Sequence, residues 1–412
     1  LIYFKSFYLS PTSLGRMLSA DFNFNSLSLE GLNLNIYKYL DEDQTNLEIF
    51  LDKINRQNEE NLTNVDLNYL IDKIEFLNAV IKYKDLNSNN NLIVFSELNF
   101  LLKDFKFRNN EINFELDNLS LKNNYTIDLK NVSSFFTYKD KKLQLKDSKI
   151  QLGSSNLNVD LEFDFSKINE MTFEKISDFL LFDLDFKNSK IITSDFNLFY
   201  NKINSSYVSE WVLNGKLKGT LNNLYLNKIN FTNDENSVKF SSSIKYLFSK
   251  EKDYDLFINF NKINTSSKIV DLIFPKIFGT IIPSSLKNLG RFELGGIAKV
   301  SSNKVESDFD LKINDGSIKS SLKISELSKI DNAVYEGIIK GYNLDLSKFI
   351  NIVGVGRSNF EFDISGRGFT TDYLNSSVTG EINNISYKNR IFENIEIFGQ
   401  VKDQVFDGNL IS

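Results

Sequence analysis

Three groups of residues in this 412-residue chain have types and spacings that chemistry could use. Asp41, Glu42 and Asp43, just ahead of Thr45, could open a calcium loop. An EF-hand loop needs Gly at its sixth position and Glu at its twelfth, where this chain has Asn46 and Asp52. The run therefore reads as a solvated turn and an acidic helix start. Gly354-Val355-Gly356 and Gly366-Arg367-Gly368 are G-x-G pieces, but neither follows a strand and opens a helix as a phosphate loop must. Asp160, Glu162 and Asp164 could supply the acid and base of a glycosidase or lyase on a β-solenoid. Acids recur in this way on nearly every expected strand, so the three read as a polar strand face. Trp211, the one tryptophan, sits in an apolar stripe and is expected to pack in the core.

What is missing narrows the chemistry further. With no histidine and no cysteine, the chain has no His-dependent triad, no His or Cys zinc site, no c-type haem attachment and no disulfide scaffold. The expectation is a protein that is not an enzyme and carries neither cofactor nor metal. Forty-eight basic and 54 acidic groups leave a net charge of -6, so there is no basic footprint for nucleic acid. The 53 Asn and four Ala, beside 37 Phe and 17 Tyr, have the look of low-GC coding drift, and the Asn excess reads as mutational bias. Loss of Ala, the best helix former, together with plentiful aromatic and β-branched residues tilts the chain toward strands.

Alternation of apolar and polar residues runs from end to end. Leu157, Val159, Leu161, Phe163 and Phe165 are separated by Asn158, Asp160, Glu162 and Asp164, the pattern of a half-buried strand. The same pattern predicts strands over 22–36, 112–121, 143–152, 182–186, 238–248, 254–260, 309–313, 360–364 and 391–401. Turn signals punctuate them, among them Asn214-Gly215, Asp315-Gly316 and Asp407-Gly408. Four stretches break the period. Thr45 to Arg56 has Leu47, Phe50, Leu51 and Ile54 at helical spacing and a Thr45/Glu48 capping box. Shorter helices are expected over 267–277, limited by Pro275, over 346–350 and over 171–179.

These readings sum to about two dozen strands, and twisted open sheets rarely exceed ~10 strands without curling or splitting. The expected fold class is mainly β: an elongated, curled antiparallel sheet forming an open groove, with a few short amphipathic helices. At ~4.8 Å per strand, ~24 strands would span on the order of 110 Å. No stretch reaches the ~18 uncharged apolar residues of a membrane-spanning helix, since 269–282 carries Asp271, Pro275 and Lys276, and Leu1 to Leu9 lacks signal-peptide architecture. The start at Leu1 and a strand-like close at 406–412 suggest a fragment, with any export signal or anchor lying upstream.

Three stretches carry a resemblance: WVLNGKLKGT over 211–220, IVDLIFPKIFGTIIPSSLKNLGRFELGGIAKV over 269–300, and the run from Tyr335 to Leu410. The recurring elements are a strand ending in Gly, Tyr-x-Gly followed by Leu-Asp-Leu, a Val-Gly turn, Gly-x-Gly-Phe-Thr, and a Tyr-Lys-x-x-Ile-Phe-x-Asn-Ile strand leading to Phe-x-Gly. Together they resemble the TamB family of the wider AsmA-like group. LSLEGLNLNIYKY before TNLEIFLDKI looks like the AsmA-like N-terminal unit of Bacteroidetes-type members. The resemblance implies a β-taco with an apolar groove in the periplasm of a Gram-negative bacterium, an inner-membrane anchor outside this stretch, and an outer-membrane barrel partner of the TamA or BamA type. It also implies phospholipid transport between the membranes, help in outer-membrane protein assembly, and no catalytic residues. The organisation expected is an N-terminal unit over 1–75 with its helix at 45–56, groove repeats over 76–266, a helical insertion over 267–290, and repeats continuing over 291–412.

The apolar stripe is the expected working surface for acyl chains. Candidate lining residues are Val159, Leu161 and Phe163; Phe240, Ile244 and Tyr246; Leu256, Ile258 and Phe260; and Phe360, Phe362 and Ile364. Two rivals stand beside this reading. A structural or adhesive β-solenoid would have a dry, side-chain-filled core. An outer-membrane barrel would show aromatic girdles, and the helix at 45–56 fits it poorly.

Overall fold

A computed structural model describes the chain except for residues 1, 14–21, 43, 51–67, 88–90, 125–127, 169–171, 199–207, 250–252, 274–288, 329, 350–351, 370–372, 403–404 and 412. The chain divides into two compact units, Leu1–Glu170 with Leu180–Phe199, and Met171–Phe179 with Tyr200–Ser412. Both are mainly β. The first holds β1 (Ile2–Tyr3), β2 (Ser6–Pro11), β3 (Phe22–Glu30), β4 (Asn33–Lys38), β5 (Tyr69–Asp85), β6 (Asn91–Arg108), β7 (Glu111–Asn123), β8 (Asp128–Lys139), β9 (Lys142–Leu152), β10 (Ser155–Asp164) and β11 (Leu181–Ile192). A 3₁₀ turn, Thr193–Leu198, follows β11. The second holds the helix α1 (Phe173–Phe179), β12 (Glu210–Gly219), β13 (Asn223–Thr232), β14 (Ser237–Lys245), β15 (Asp255–Ser266), α2 (Ser267–Ile273), β16 (Arg291–Val300), β17 (Lys304–Ile313), β18 (Gly316–Ser325), β19 (Val334–Asp345), β20 (Val355–Arg367), β21 (Asn375–Tyr387), β22 (Arg390–Lys402) and β23 (Val405–Ile411).

From β5 to β11, and again from β12 to β23, each strand pairs antiparallel with the next in sequence. This is the meander that the alternation predicts. Its exception lies at the start. β3 and β4 lie end to end along β5 and run parallel to it, with Phe24 opposite Ile71 and Leu34 opposite Ile81. The strand expected over 22–36 is therefore interrupted at Gly31, whose φ of 65° is open to glycine and whose N–H bonds the Leu77 carbonyl at 2.8 Å. Phe24, Ile71 and Ile74 form a buried cluster there, with Leu9, Leu27, Phe76, Leu102 and Phe105 packed against it. β5 runs unbroken through residues 75 and 76, where a change of domain was expected, and the two units part between 170 and 200 instead.

Helices fall where the apolar period changes. Residues 46–50 are helical, and the capping box is formed: Thr45 N donates to Glu48 Oε2 at 2.7 Å and Glu48 N to Thr45 Oγ1 at 3.2 Å. The remainder of the helix expected to 56 lies outside the described residues, as do residues 274–277 of the helix expected after 267 and Ile350 of the one expected over 346–350. In that last stretch Leu346–Lys348 is a 3₁₀ turn capped by Asp345 at its start and Phe349 at its end. Asn222 fixes α1 to the sheet. Its N–H donates to the Ser177 carbonyl at 3.0 Å, its side-chain amide meets Asp178, and its own Oδ1 accepts from Phe248 N at 2.7 Å.

Two expected turns are not turns. Asn214-Gly215 lies inside β12 at a register shift, with Gly215 at φ 137°, and Asp407-Gly408 lies inside β23. Such shifts are β-bulges, and they recur with a common chemistry. Asn78, Asp147, Lys228 and Asn343 each take a positive φ, between 47° and 52°, at a shift in register. Each gives its N–H to a side-chain oxygen of the neighbouring strand: to Asn99, Asp160, Ser241 and Asn359, at 2.8, 2.8, 3.1 and 2.8 Å. Among the described residues, eight of the 18 non-glycine positions with positive φ are Asn. Asn tolerates this left-handed region and bonds locally, so part of the Asn excess has structural work to do beyond coding bias.

Candidate apolar surface

Within each unit the register carries the apolar alternation from strand to strand, so that one side of the sheet is apolar and the other charged. In the first unit Tyr69, Phe107, Ile112, Tyr138, Leu143, Phe163 and Phe182 are successive cross-strand partners from β5 to β11. Beside that row run Ile71, Phe105, Phe114, Phe136, Leu145, Leu161 and Leu184. Here Phe105 meets Phe114 with ring centroids 6.1 Å apart, and Phe114 stacks on Phe136 at 4.2 Å. Val159 lies next along β10, between Ser148 and Phe186, at 3% exposure. Ser148 and Ser134 are buried in the same surface and satisfy each other through a 2.8 Å hydrogen bond.

The second unit repeats the plan. Ile244, Leu256, Val300, Val305, Ile324 and Tyr335 are successive partners from β14 to β19. Phe240, Phe260, Gly296, Phe309, Ser320, Ile339 and Phe362 form a parallel row from β14 to β20. Ile258 and Ile364 lie in a third row, and Phe360 sits opposite Gly341 and Ile382. Glycine is needed in these rows for two different reasons. At Gly341 a Cβ would come 2.2 Å from the Phe360 ring, which lies over the bare backbone. At Gly296, with φ 143°, a Cβ would meet the Asp308 carbonyl at 2.1 Å.

Eleven of the twelve residues singled out from the alternation thus occupy the apolar side of their own unit. Tyr246 lies outside the paired rows, one residue past the end of β14, with φ 60° and its N–H on the Asn222 carbonyl at 2.7 Å. Val159 and Phe360 are buried, while Leu161, Phe163, Phe240, Ile244, Leu256, Ile258, Phe260, Phe362 and Ile364 are only half-buried. The aromatic partners Phe107, Phe114, Phe136, Tyr138 and Phe182 belong to the same surface and were not singled out. Their alternation was visible, but their alignment depends on bulges that sequence spacing does not reveal. Trp211 packs as expected, at 1% exposure and stacked 4.6 Å from Phe231.

The opposite side is a lattice of charges and amides. Asp160 accepts from Lys187 and from the Asp147 N–H, Glu162 from Gln144 at 3.0 Å, and Asp164 from Ser166 N at 2.9 Å with Lys142 3.3 Å away. The Lys187 hydrogen bond holds the Asp160 carboxyl below its ordinary range, and the Ser166 contacts do the same for Asp164. A glycosidase acid needs a raised pKa, and Asp160 and Asp164 are moved the other way. The G-x-G pieces open no helix either: Gly356 and Gly366 lie within β20, and Gly354 and Gly368 flank it. Asp41 lies in a turn whose N–H donates to Asn87, while Asp43 is outside the described residues. Among the described residues no cluster of three or more acids is placed to hold a metal, and no helix is long and apolar enough to cross a membrane. No family model matches this chain, and no curated protein or solved structure does.

Proposed function

We propose that the apolar side of each unit shields the acyl chains of lipid while headgroups stay in solvent, so that the protein is a lipid conduit of the TamB type. The observation that supports this is the set of largely apolar, half-buried rows running across consecutive strands of each unit, opposite a charged side. A side chain such as Phe163 or Phe362 is screened by its row neighbours and still offers part of its surface to a guest. Each methylene taken from water contributes about 0.8 kcal/mol, which holds an acyl chain. Rows of similar side chains offer similar sites at neighbouring positions, so sliding along the surface costs little. The work is done by surface, without catalysis, cofactor or metal.

From the resemblance alone the reading takes its setting: the periplasm of a Gram-negative bacterium, an inner-membrane anchor in a segment outside residues 1–412, a barrel partner of the TamA or BamA type, and a part in outer-membrane biogenesis and protein secretion. The test is mass spectrometry of lipid extracted from the purified protein. Phospholipid is expected in stoichiometric amount with the native chain, and at least tenfold less with Phe163→Asp and Phe362→Asp together, while the β-sheet circular dichroism persists. A native chain that purifies without lipid would instead favour a structural or adhesive β-protein.

A further inference from the structure

The two most exposed large apolar side chains of the described residues, Val353 at 87% and Ile391 at 71%, lie on neighbouring hairpin tips. Val353 precedes β20, with Ile352 beside it at 54%; Ile391 is the second residue of β22. The tips are joined by the backbone, since Lys388 N donates to the Gly354 carbonyl at 2.8 Å and Val355 pairs with Tyr387, itself the partner of Arg390. Exposed cations surround them. Lys388 leans over the Tyr387 ring at 5.2 Å, and among the described residues no carboxylate lies within ion-pair distance of Lys388 or Arg390. The nearby acids are occupied or set back: Asp315 is 4.0 Å from Arg357, Asp345 caps Ser347, and Glu393 faces Asn384 on the adjoining strand.

We propose that this rim of the second unit is a membrane contact, with Ile352, Val353 and Ile391 entering the interfacial zone of an anionic bilayer and Lys388 and Arg390 meeting its headgroups. The chemistry favours a lipid surface over a protein. A stable protein interface buries about 800 Å² per partner, far more than two hairpin tips present, whereas a bilayer rewards a few apolar tips ringed by cations. This inference does not depend on the lipid-conduit reading, because it concerns loop tips away from the apolar rows.

The native chain has no cysteine, so V353C can carry a single polarity-sensitive fluorophore, with N303C on another hairpin turn as the reference. With vesicles of phosphatidylcholine and phosphatidylglycerol at 7:3, the V353C probe is expected to shift to the blue and the N303C probe to stay in water. Val353→Asp with Ile391→Asp should lower vesicle flotation at least tenfold while leaving co-purified lipid unchanged. Lys388→Glu with Arg390→Glu should abolish the preference over pure phosphatidylcholine. A V353C probe that stays in water while the chain floats would overturn the proposal, as would unchanged flotation of the Asp variant. A shift that appears without vesicles as the chain self-associates would assign the rim to a protein contact and overturn it equally.

Discussion

Asn343 shows how much one residue can set. At φ 47° it supplies the extra residue of a bulge in β19 and gives its N–H to Asn359 across the strand boundary. A β-branched side chain is poorly tolerated there, and the left-handed conformation costs ordinary residues about 1–2 kcal/mol. Asn343→Val is therefore expected to lower unfolding free energy by about that amount in urea titration, and Asn343→Gly by much less. The charged face makes a second residue-level prediction. Hydrogen bonds from Lys187 to Asp160, Ser166 to Asp164, Ser347 to Asp345 and Lys304 to Glu306 hold these carboxyls below their ordinary values. Their stabilisation is present above the unfolded pKa of about 4 and is lost as pH falls through the lower folded values. Lys103, Lys139 and Lys340 are shifted upward by Asp117, Glu111 and Glu361, and that contribution is lost only above about pH 10. Urea midpoints should be flat between pH 5 and 9 and drop below pH 4, with a shallower drop in Asp160→Asn. These groups are exposed, so salt should flatten the same dependence.

At the scale of elements, Asn222 joins three pieces: α1, the turn between β12 and β13, and the chain leaving β14. Asn222→Ala removes the hydrogen bonds to Asp178 and Phe248, whose own ends are open to water, and a loss of about 0.5–1.5 kcal/mol is expected in thermal or urea unfolding. Elements were also the most readable part of the sequence. Strands declare themselves through alternation, and the Thr45/Glu48 box through a pairing only three residues apart. Asn214-Gly215 was ambiguous because a tight turn and a bulge both take glycine at positive φ, so the dipeptide could not say which it serves, whereas Asp407-Gly408 lies in regular pairing. Alternation continues past the end of β14, so spacing alone does not separate Tyr246 from the paired residues of that strand. The parallel pairing of β3 and β4 with β5 joins segments more than 40 residues apart, and no local period reports it. The opposition of Gly341 to Phe360 was hidden too, because it exists only once the β19–β20 register is known.

Within each unit the contacts are local in sequence order: among the described residues beyond β5, strands pair only with their predecessor and successor. Stability should then be close to a sum of neighbouring strand pairs, and the acyl-shielding surface proposed above would be assembled in the same increments. Bulges give this arrangement a further property. A strand that slipped by one residue would turn its apolar side chains toward the charges, and it would also carry its left-handed residue away from the oxygen waiting at Asn99, Asp160, Ser241 or Asn359. A misaligned hairpin is thereby penalised twice, by its side chains and by its backbone. For a chain this repetitive, in which many segments could pair with one another, the bulge hydrogen bonds help to single out one register as the stable one.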